Sequence, residues 1–229
     1  MKKTFRIVSI VFLSLILLLF IGYLLMNEKL PEGEATPEAN IMAEKMTEAL
    51  NIAAWNETKN VSWTFRGTHH YEWDREAHVV KVKWDDHEVM LSPNTQSGVI
   101  TSSANEYTPA QFEEIVDTAL EFFNNDSFWL YAPFKVFDPG VQRSVVTFKD
   151  GTNGLKVTYT SGGSTPGDSY VWILGDDYKP VAVKMWAAIL PLGGMEFTWE
   201  NYKTLPSGAM IAQDHLFMGA MNIEVTNIQ

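Results

Sequence analysis

Histidine and carboxylate side chains concentrate in one short region of the sequence. Within twenty positions, the segments "HHYEWD" and "DDHE" offer His69, His70, Asp74, Asp85, Asp86, His87 and Glu88 as candidate ligands. Imidazole and carboxylate groups together can ligate zinc or manganese. However, His69 and His70 are adjacent on a predicted strand, where consecutive side chains point to opposite faces. No His-Glu-x-x-His motif is present, so the pattern predicts polar hairpin ends and no metal site.

Other catalytic patterns are also missing from the sequence. The segment "SGGSTPGDSY" is rich in glycine, but it lacks the Gly-Lys-Ser/Thr ending of a phosphate loop. Its Gly162, Gly163 and Gly167 indicate a turn that uses positive φ angles. No serine lies in a Gly-x-Ser-x-Gly motif, and no spacing selects a carboxylate pair for glycoside cleavage. We therefore predict a protein that is not an enzyme and needs no cofactor.

The N-terminal segment 1–26 differs from the rest of the chain. Lys2, Lys3 and Arg6 precede twenty uncharged residues, Ile7 to Met26, which as a helix match the roughly 30 Å apolar core of a bilayer. Basic residues before such a run keep the N-terminus in the cytoplasm. We expect a single-pass signal anchor in a bacterial inner membrane, with the remainder in the periplasm. A cleaved signal peptide, and hence a secreted form, is the alternative, with Gly33 and Ala35 as a small-residue site.

Composition narrows the possible partners. The chain contains no cysteine, which excludes disulfides, thiolate catalysis and a lipid-modified cysteine. Its formal charge is −11, and without the three basic residues of segment 1–26 the remainder carries −14. Such a surface repels nucleic acid and anionic headgroups. The partners we expect are a lipid or acyl-chain ligand, the inner membrane through residues 7–26, and a possible protein partner, but no nucleic acid.

The remaining pattern predicts a short linker, 27–35, and one domain, 36–229. Thr36 and Thr108 each precede a proline and an amphipathic stretch, so two long helices are expected to begin there. Between and after these helices the apolar residues alternate with period two and are separated by Gly, Pro, Asp and Asn turns. We predict an α+β fold in which a curved antiparallel sheet forms a half-barrel, with the helices packed on its concave face.

An aromatic segment, "DSFWLYAPFKVFDPG", follows the second predicted helix. Pro133 and Pro139 cannot donate to a strand ladder, so the segment is not a central strand throughout. Together with "STPGDSY" it resembles a group of uncharacterised bacterial exported proteins related to the superfamily of periplasmic lipoprotein carriers. The matching residues are Asn125, Asp126, Trp129, Leu130, Pro133, Lys135, Asp138, Pro139, Gly140, Thr165, Pro166, Gly167, Asp168 and Tyr170. We expect Lys135 to pair with Asp138 or Asp168, and Asp168 to cap its turn.

The resemblance implies a half-barrel that holds acyl chains under a helical lid. On that basis we expect a membrane-anchored periplasmic protein that binds a lipid or other apolar ligand, in envelope lipid or lipoprotein trafficking. The expected ligand contacts are Trp63, Phe65, Trp129, Phe134, Trp172 and Trp199. These residues fit ordinary core packing equally well. The alternative function is therefore a non-catalytic interaction or scaffold domain with a filled interior.

Overall fold

A computed structural model describes residues 2–101, 106–161 and 166–229. The helices are α1 (Lys2–Met26), α2 (Pro37–Ala49), α3 (Ile52–Glu57) and α4 (Pro109–Tyr131), and a 3-10 turn covers Ala132–Lys135. The first strands are β1 (Asn60–Phe65), β2 (His69–Asp74), β3 (Val79–Trp84), β4 (His87–Ser92) and β5 (Ser97–Ile100). After α4 come β6 (Val141–Thr147), β7 (Asn153–Tyr159), β8 (Ser169–Leu174), β9 (Pro180–Trp186) and β10 (Met195–Thr198). The last strands are β11 (Glu200–Thr204), β12 (Met210–Asp214), β13 (Leu216–Phe217), β14 (Met221–Asn222) and β15 (Val225–Thr226).

The strands pair antiparallel throughout. Six form a sheet in the order β15-β1-β2-β3-β4-β5, and seven form a sheet in the order β14-β13-β10-β9-β8-β7-β6. Strands β11 and β12 form a separate two-stranded sheet. The predicted α+β class with antiparallel strands is therefore confirmed, and the sheets are not closed into a barrel.

One long hairpin links the two large sheets and explains why the expected single sheet is divided. Trp199 separates β10 from β11, and His215 separates β12 from β13. Both side chains are buried, and the ladder is interrupted where they enter the core. Beyond Trp199 and His215 the hairpin continues as β11 and β12. Strand β12 lies beside β15 of the six-stranded sheet, where Gln213 Nε2 donates to Val225 O at 3.5 Å.

The two predicted helix starts are correct, and the structure defines where each helix ends. Thr108 and Gln111 form a capping box at the start of α4, and α4 continues through Tyr131, so the first six of the fifteen residues of the aromatic segment are α-helical. The helix predicted from Thr36 breaks at Asn51, which adopts the left-handed conformation with φ 61°. Beyond the break, Ala53 is exposed and Trp55 is buried.

Helix α1 precedes the domain, and large apolar side chains between Val11 and Leu18 and between Phe20 and Met26 are exposed along it. Within the part of the chain that the structure describes, no helix combines the length and apolarity needed to cross a membrane.

Candidate ligand-binding site

The six expected ligand-contact residues all lie in the core. None is more than 8% exposed. Trp63 stacks on Tyr71 at 4.4 Å between ring centroids, and Phe134 stacks on Trp55 at 4.8 Å. The structure therefore distributes these two residues over separate aromatic contacts and does not bring all six together.

Three of the six do form one cluster. Trp199 lies 5.9 Å from Trp129 and 5.0 Å from Trp172 between ring centroids. Phe128 adds an edge-on contact to Trp199 at 6.1 Å. In this arrangement each tryptophan is covered by neighbouring rings, so the cluster is packed by the protein's own side chains. A ligand contact at these positions remains a prediction.

A groove lies at a different place, where the end of α1 meets the edge of the seven-stranded sheet. It encloses about 400 Å³. Its walls come from the end of α1, from the β9–β10 loop with β10, and from β13 with the turn that follows. The lining residues are Leu25, Met26, Glu28, Lys184, Leu192, Gly194, Met195, Glu196, Thr198, Leu216, Phe217, Met218 and Gly219. Sequence reasoning missed this groove because its walls are distant along the chain.

Hydrogen bonds fix the segment after α1 against the sheet and so define one wall of the groove. The Glu28 amide donates to Gly193 O at 2.9 Å, and the Gly193 amide donates to Asn27 Oδ1 at 2.8 Å. Trp186 Nε1 donates to Glu28 O at 2.8 Å. Gly193 is required here, since a Cβ would lie 2.6 Å from Glu28 O.

The polar groups of the groove are largely paired with each other. Lys184 Nζ lies 2.9 Å from Glu28 Oε1 and 3.9 Å from Glu196 Oε2. The lysine charge is thus neutralised by two carboxylates. The remaining lining is dominated by leucine, methionine and phenylalanine side chains, which suit an apolar ligand.

The floor of the groove is continuous with the tryptophan cluster. Phe217, which lines the groove, lies 5.3 Å from Phe197 between ring centroids. Phe197 in turn lies 4.9 Å from Trp129. Two aromatic rings therefore separate the groove from the interior residues that the sequence singled out.

A second cavity of about 340 Å³ lies between β3–β4 and the start of α4. Trp84, His87, Tyr107 and Gln111 are among the residues that line it. The His87 Nδ1 atom is buried and has no hydrogen-bond partner among the described residues. The cavity is smaller than the groove and is more polar, with Glu114 and Thr118 completing one side.

The histidine and carboxylate residues of the sequence do not form a metal site in the part of the chain described: no group of three or more potential ligands occurs there. His70 Nδ1 instead contacts Thr64 Oγ1 at 3.0 Å. Asp74 accepts from the Ala77 amide at 2.8 Å in a turn, and Glu88 pairs with Lys83 at 2.8 Å.

His69 joins a buried polar network that the sequence did not reveal. Its Nδ1 lies 2.6 Å from Asp126 Oδ2, and the Tyr71 hydroxyl donates to the same oxygen at 2.5 Å. Burial raises the pKa of the Asp126 carboxyl, and the hydrogen bonds from Tyr71 and His69 offset part of that rise. Burial likewise raises the pKa of the Tyr71 hydroxyl. The network ties the last turns of α4 to β2.

His215 is a fully buried imidazole in contact with the tryptophan cluster. Its ring centroid lies 3.9 Å from that of Trp199 and 5.2 Å from that of Trp129. Among the described residues neither ring nitrogen makes a hydrogen bond of normal geometry. Burial lowers the pKa of His215 to about 3, although the nearby carbonyls of Thr198 and Trp129 oppose this effect. The ring is therefore neutral at physiological pH.

The residues of the two resembling motifs serve the local structure. Lys135 pairs with Asp138 at 3.0 Å, as one of the two expected arrangements. Asp168 Oδ1 accepts from the Ala188 amide at 2.9 Å, so this carboxylate supports the β9–β10 loop, and capping of its own turn stays a prediction. Gly140 and Gly167 have φ of 80° and 106°. Gly162, Gly163 and Thr165 lie outside the described residues.

Comparisons with known proteins add information about the fold. No family model matches the chain, and neither does any curated protein. Among solved structures, the chain is similar to a DUF1329 family protein from Desulfovibrio piger, with a TM-score of 0.37 and 10% identity over 86% of this chain and 93% of that one. It is also similar to a LolA superfamily protein from Nitrosomonas europaea, with a TM-score of 0.36 and 9% identity over 83% and 92%.

Proposed function

We propose that this chain is a membrane-anchored domain on the periplasmic face of a bacterial inner membrane that binds a lipid or other apolar ligand. The observation that carries the proposal is the groove at the end of α1. Its volume of about 400 Å³ falls within the range of roughly 300–1,000 Å³ typical of small-molecule sites. No catalytic residue is required for this function.

The proposed anchor is the uncharged run from Ile7 to Met26. Its last residues also line the groove, because Leu25 and Met26 form part of the wall. A ligand in the groove would therefore contact both the anchor and the folded domain. With Ile7 to Met26 in the bilayer, the binding site would lie next to it, where lipid ligands are found.

The lining favours an apolar chain with a neutral or zwitterionic headgroup. Burial of each methylene group against Leu192, Met195 and Phe217 contributes about 0.8 kcal/mol. Lys184 is already paired with two glutamates, and the chain after residue 26 carries a formal charge of −14, so an anionic headgroup gains little here.

We propose that the ligand also reaches aromatic residues in the interior of the domain. A chain that displaced Phe217 and Phe197 would reach Trp129 and then Trp199. Trp172, Trp63, Phe65 and Phe134 are proposed as deeper contacts of the same kind. The ring contacts from the groove to Trp129 support this route.

Native mass spectrometry of the full chain after mild detergent extraction tests the proposal. We expect a co-purified lipid on the wild-type protein. Leu192→Trp fills the groove and should lower the lipid-bound fraction. Val181→Trp adds the same side chain at an exposed position on β9 that does not line the groove, and should retain the lipid. A clean apo mass for the wild type, with no displacement of a fluorescent fatty acid, would refute lipid binding.

That refuting result would favour the second candidate, a non-catalytic interaction or scaffold domain. The observation that favours it is the packing of the tryptophan cluster by neighbouring rings. In that case the acidic surface of the domain would bind a protein partner.

A further inference from the structure

Two loops of the domain carry no charged residue although the domain as a whole is strongly acidic. The stretch from Met185 to Met195 contains no Asp, Glu, Lys or Arg, and neither does the stretch from His215 to Ile223. Both present large apolar side chains to the outside: Ile189 is 62% exposed and Met218 is 72% exposed. Met221 is 44% exposed on the same hairpin. These two segments are called here the β9–β10 loop and the β13–β14 hairpin.

Both loops lie beside the end of α1. The β9–β10 loop is joined to the residues directly after α1 by the hydrogen bonds between Gly193 and Asn27 and Glu28. The β13–β14 hairpin lines the groove together with Leu25 and Met26. Because residues 27 and 28 follow the apolar run without a gap, anything bonded to them lies at the depth where that run ends.

We propose that the β9–β10 loop and the β13–β14 hairpin form a surface that embeds in the phospholipid bilayer around α1. This inference rests on the proposed anchor. Both loops lie beside the end of α1, and a membrane-spanning α1 would bring them to the lipid interface. The bilayer is therefore the partner that this surface fits. Uncharged loops can enter that interface without desolvating a charge, whereas the rest of the acidic domain is repelled from anionic headgroups.

The orientation has a consequence for the groove. Met218 and Leu192 belong to the proposed membrane surface and also line the groove. The mouth of the groove then opens onto the bilayer, and an acyl chain enters from the lipid phase without crossing water. The ligand class of this site is therefore a membrane lipid and not a water-soluble apolar compound.

Site-specific fluorescence tests this orientation directly, because the chain has no native cysteine. The full chain carrying Met218→Cys or Ile189→Cys is labelled with an environment-sensitive NBD dye and reconstituted into phosphatidylcholine vesicles. Asn94→Cys, at an exposed position in the β4–β5 turn of the other large sheet, is the matched control. Nitroxide-labelled lipids are then added to measure proximity to the bilayer.

We expect both loop labels to shift to shorter emission wavelength and to be quenched by the nitroxide lipids, while the Asn94 label remains water-exposed and unquenched. Using two loop positions keeps the test valid if one substitution impairs folding. If the protein floats with the vesicles but both loop labels behave like the control, the membrane surface is refuted while the anchor stands. If the protein does not float with the vesicles, the anchor itself is refuted, and the membrane surface with it. If the loop labels shift to shorter emission wavelength only when a second protein is added, the surface binds a protein partner and the proposal is overturned.

Discussion

The buried imidazole of His215 makes a specific prediction about acid stability. Burial lowers its pKa to about 3 in the folded protein, whereas an unfolded histidine has a pKa of about 6.5. Between these values the unfolded chain binds a proton that the folded chain does not bind. The free energy of unfolding therefore falls as the pH falls below about 6.5.

The size of the effect follows from the two pKa values. One pH unit corresponds to about 1.36 kcal/mol for a single group. At pH 5.0, about 1.5 units below the unfolded pKa and still above the folded one, His215 lowers the free energy of unfolding by about 2 kcal/mol relative to pH 7.5. His215→Phe removes this contribution, because phenylalanine keeps an aromatic ring between Trp129 and Trp199 but has no titratable group.

Urea unfolding of the full chain in detergent micelles, followed by tryptophan fluorescence, measures the difference between pH 7.5 and pH 5.0. The phenylalanine variant keeps all eight tryptophans, so the signal is comparable. Any strain from the larger ring shifts stability equally at both pH values. His78→Asn is the control: His78 is exposed at a positive φ of 55° that asparagine tolerates, and the wild-type response should be retained.

If His215→Phe shows the same loss of stability between pH 7.5 and 5.0 as the wild type, His215 does not contribute to the pH dependence. Such a result would mean that the imidazole is protonated in the folded protein, and hence hydrogen-bonded to an acceptor.

Two further substitutions test the buried network and the α1 junction. Asp126→Ala leaves the Tyr71 hydroxyl and the His69 imidazole without their acceptor, so urea unfolding should show a loss of about 3 kcal/mol; a loss below about 1 kcal/mol would indicate that the network contributes little. Gly193→Ala places a Cβ 2.6 Å from Glu28 O, so the segment after α1 must move away and the lipid-bound fraction in native mass spectrometry should fall. An unchanged lipid-bound fraction would show that the close contact between Gly193 and Glu28 is not needed for ligand binding.

The parts of the fold that depend on neighbouring residues could be predicted from the sequence. Thr108, Pro109 and Gln111 determine the start of α4 by local hydrogen bonding, and the alternation of Val61, Trp63 and Phe65 matches the buried face of β1. The pair of Lys135 and Asp138 was also within reach, because the residues are three positions apart.

The remaining features depend on contacts between distant parts of the chain. His69 and Asp126 are 57 positions apart, and no local pattern links a strand histidine with an aspartate near the end of a helix. At the break, the Asn51 side chain donates to Gly208 O at 3.1 Å, 157 positions further along the chain. The groove likewise requires α1, β10 and β13 to meet. One usable signal was missed: the two uncharged loops are visible in the sequence of an otherwise acidic domain.

The central claim is that a lipid occupies the groove between α1 and the seven-stranded sheet. Photo-crosslinking of the full chain in its native membrane with a diazirine-bearing fatty acid, followed by peptide mass spectrometry, locates the ligand. We predict adducts on the β9–β10 loop and β10 around Leu192 and Met195 and on β13 at Phe217, in addition to those on α1. Adducts confined to α1, with none on the domain, would contradict the claim.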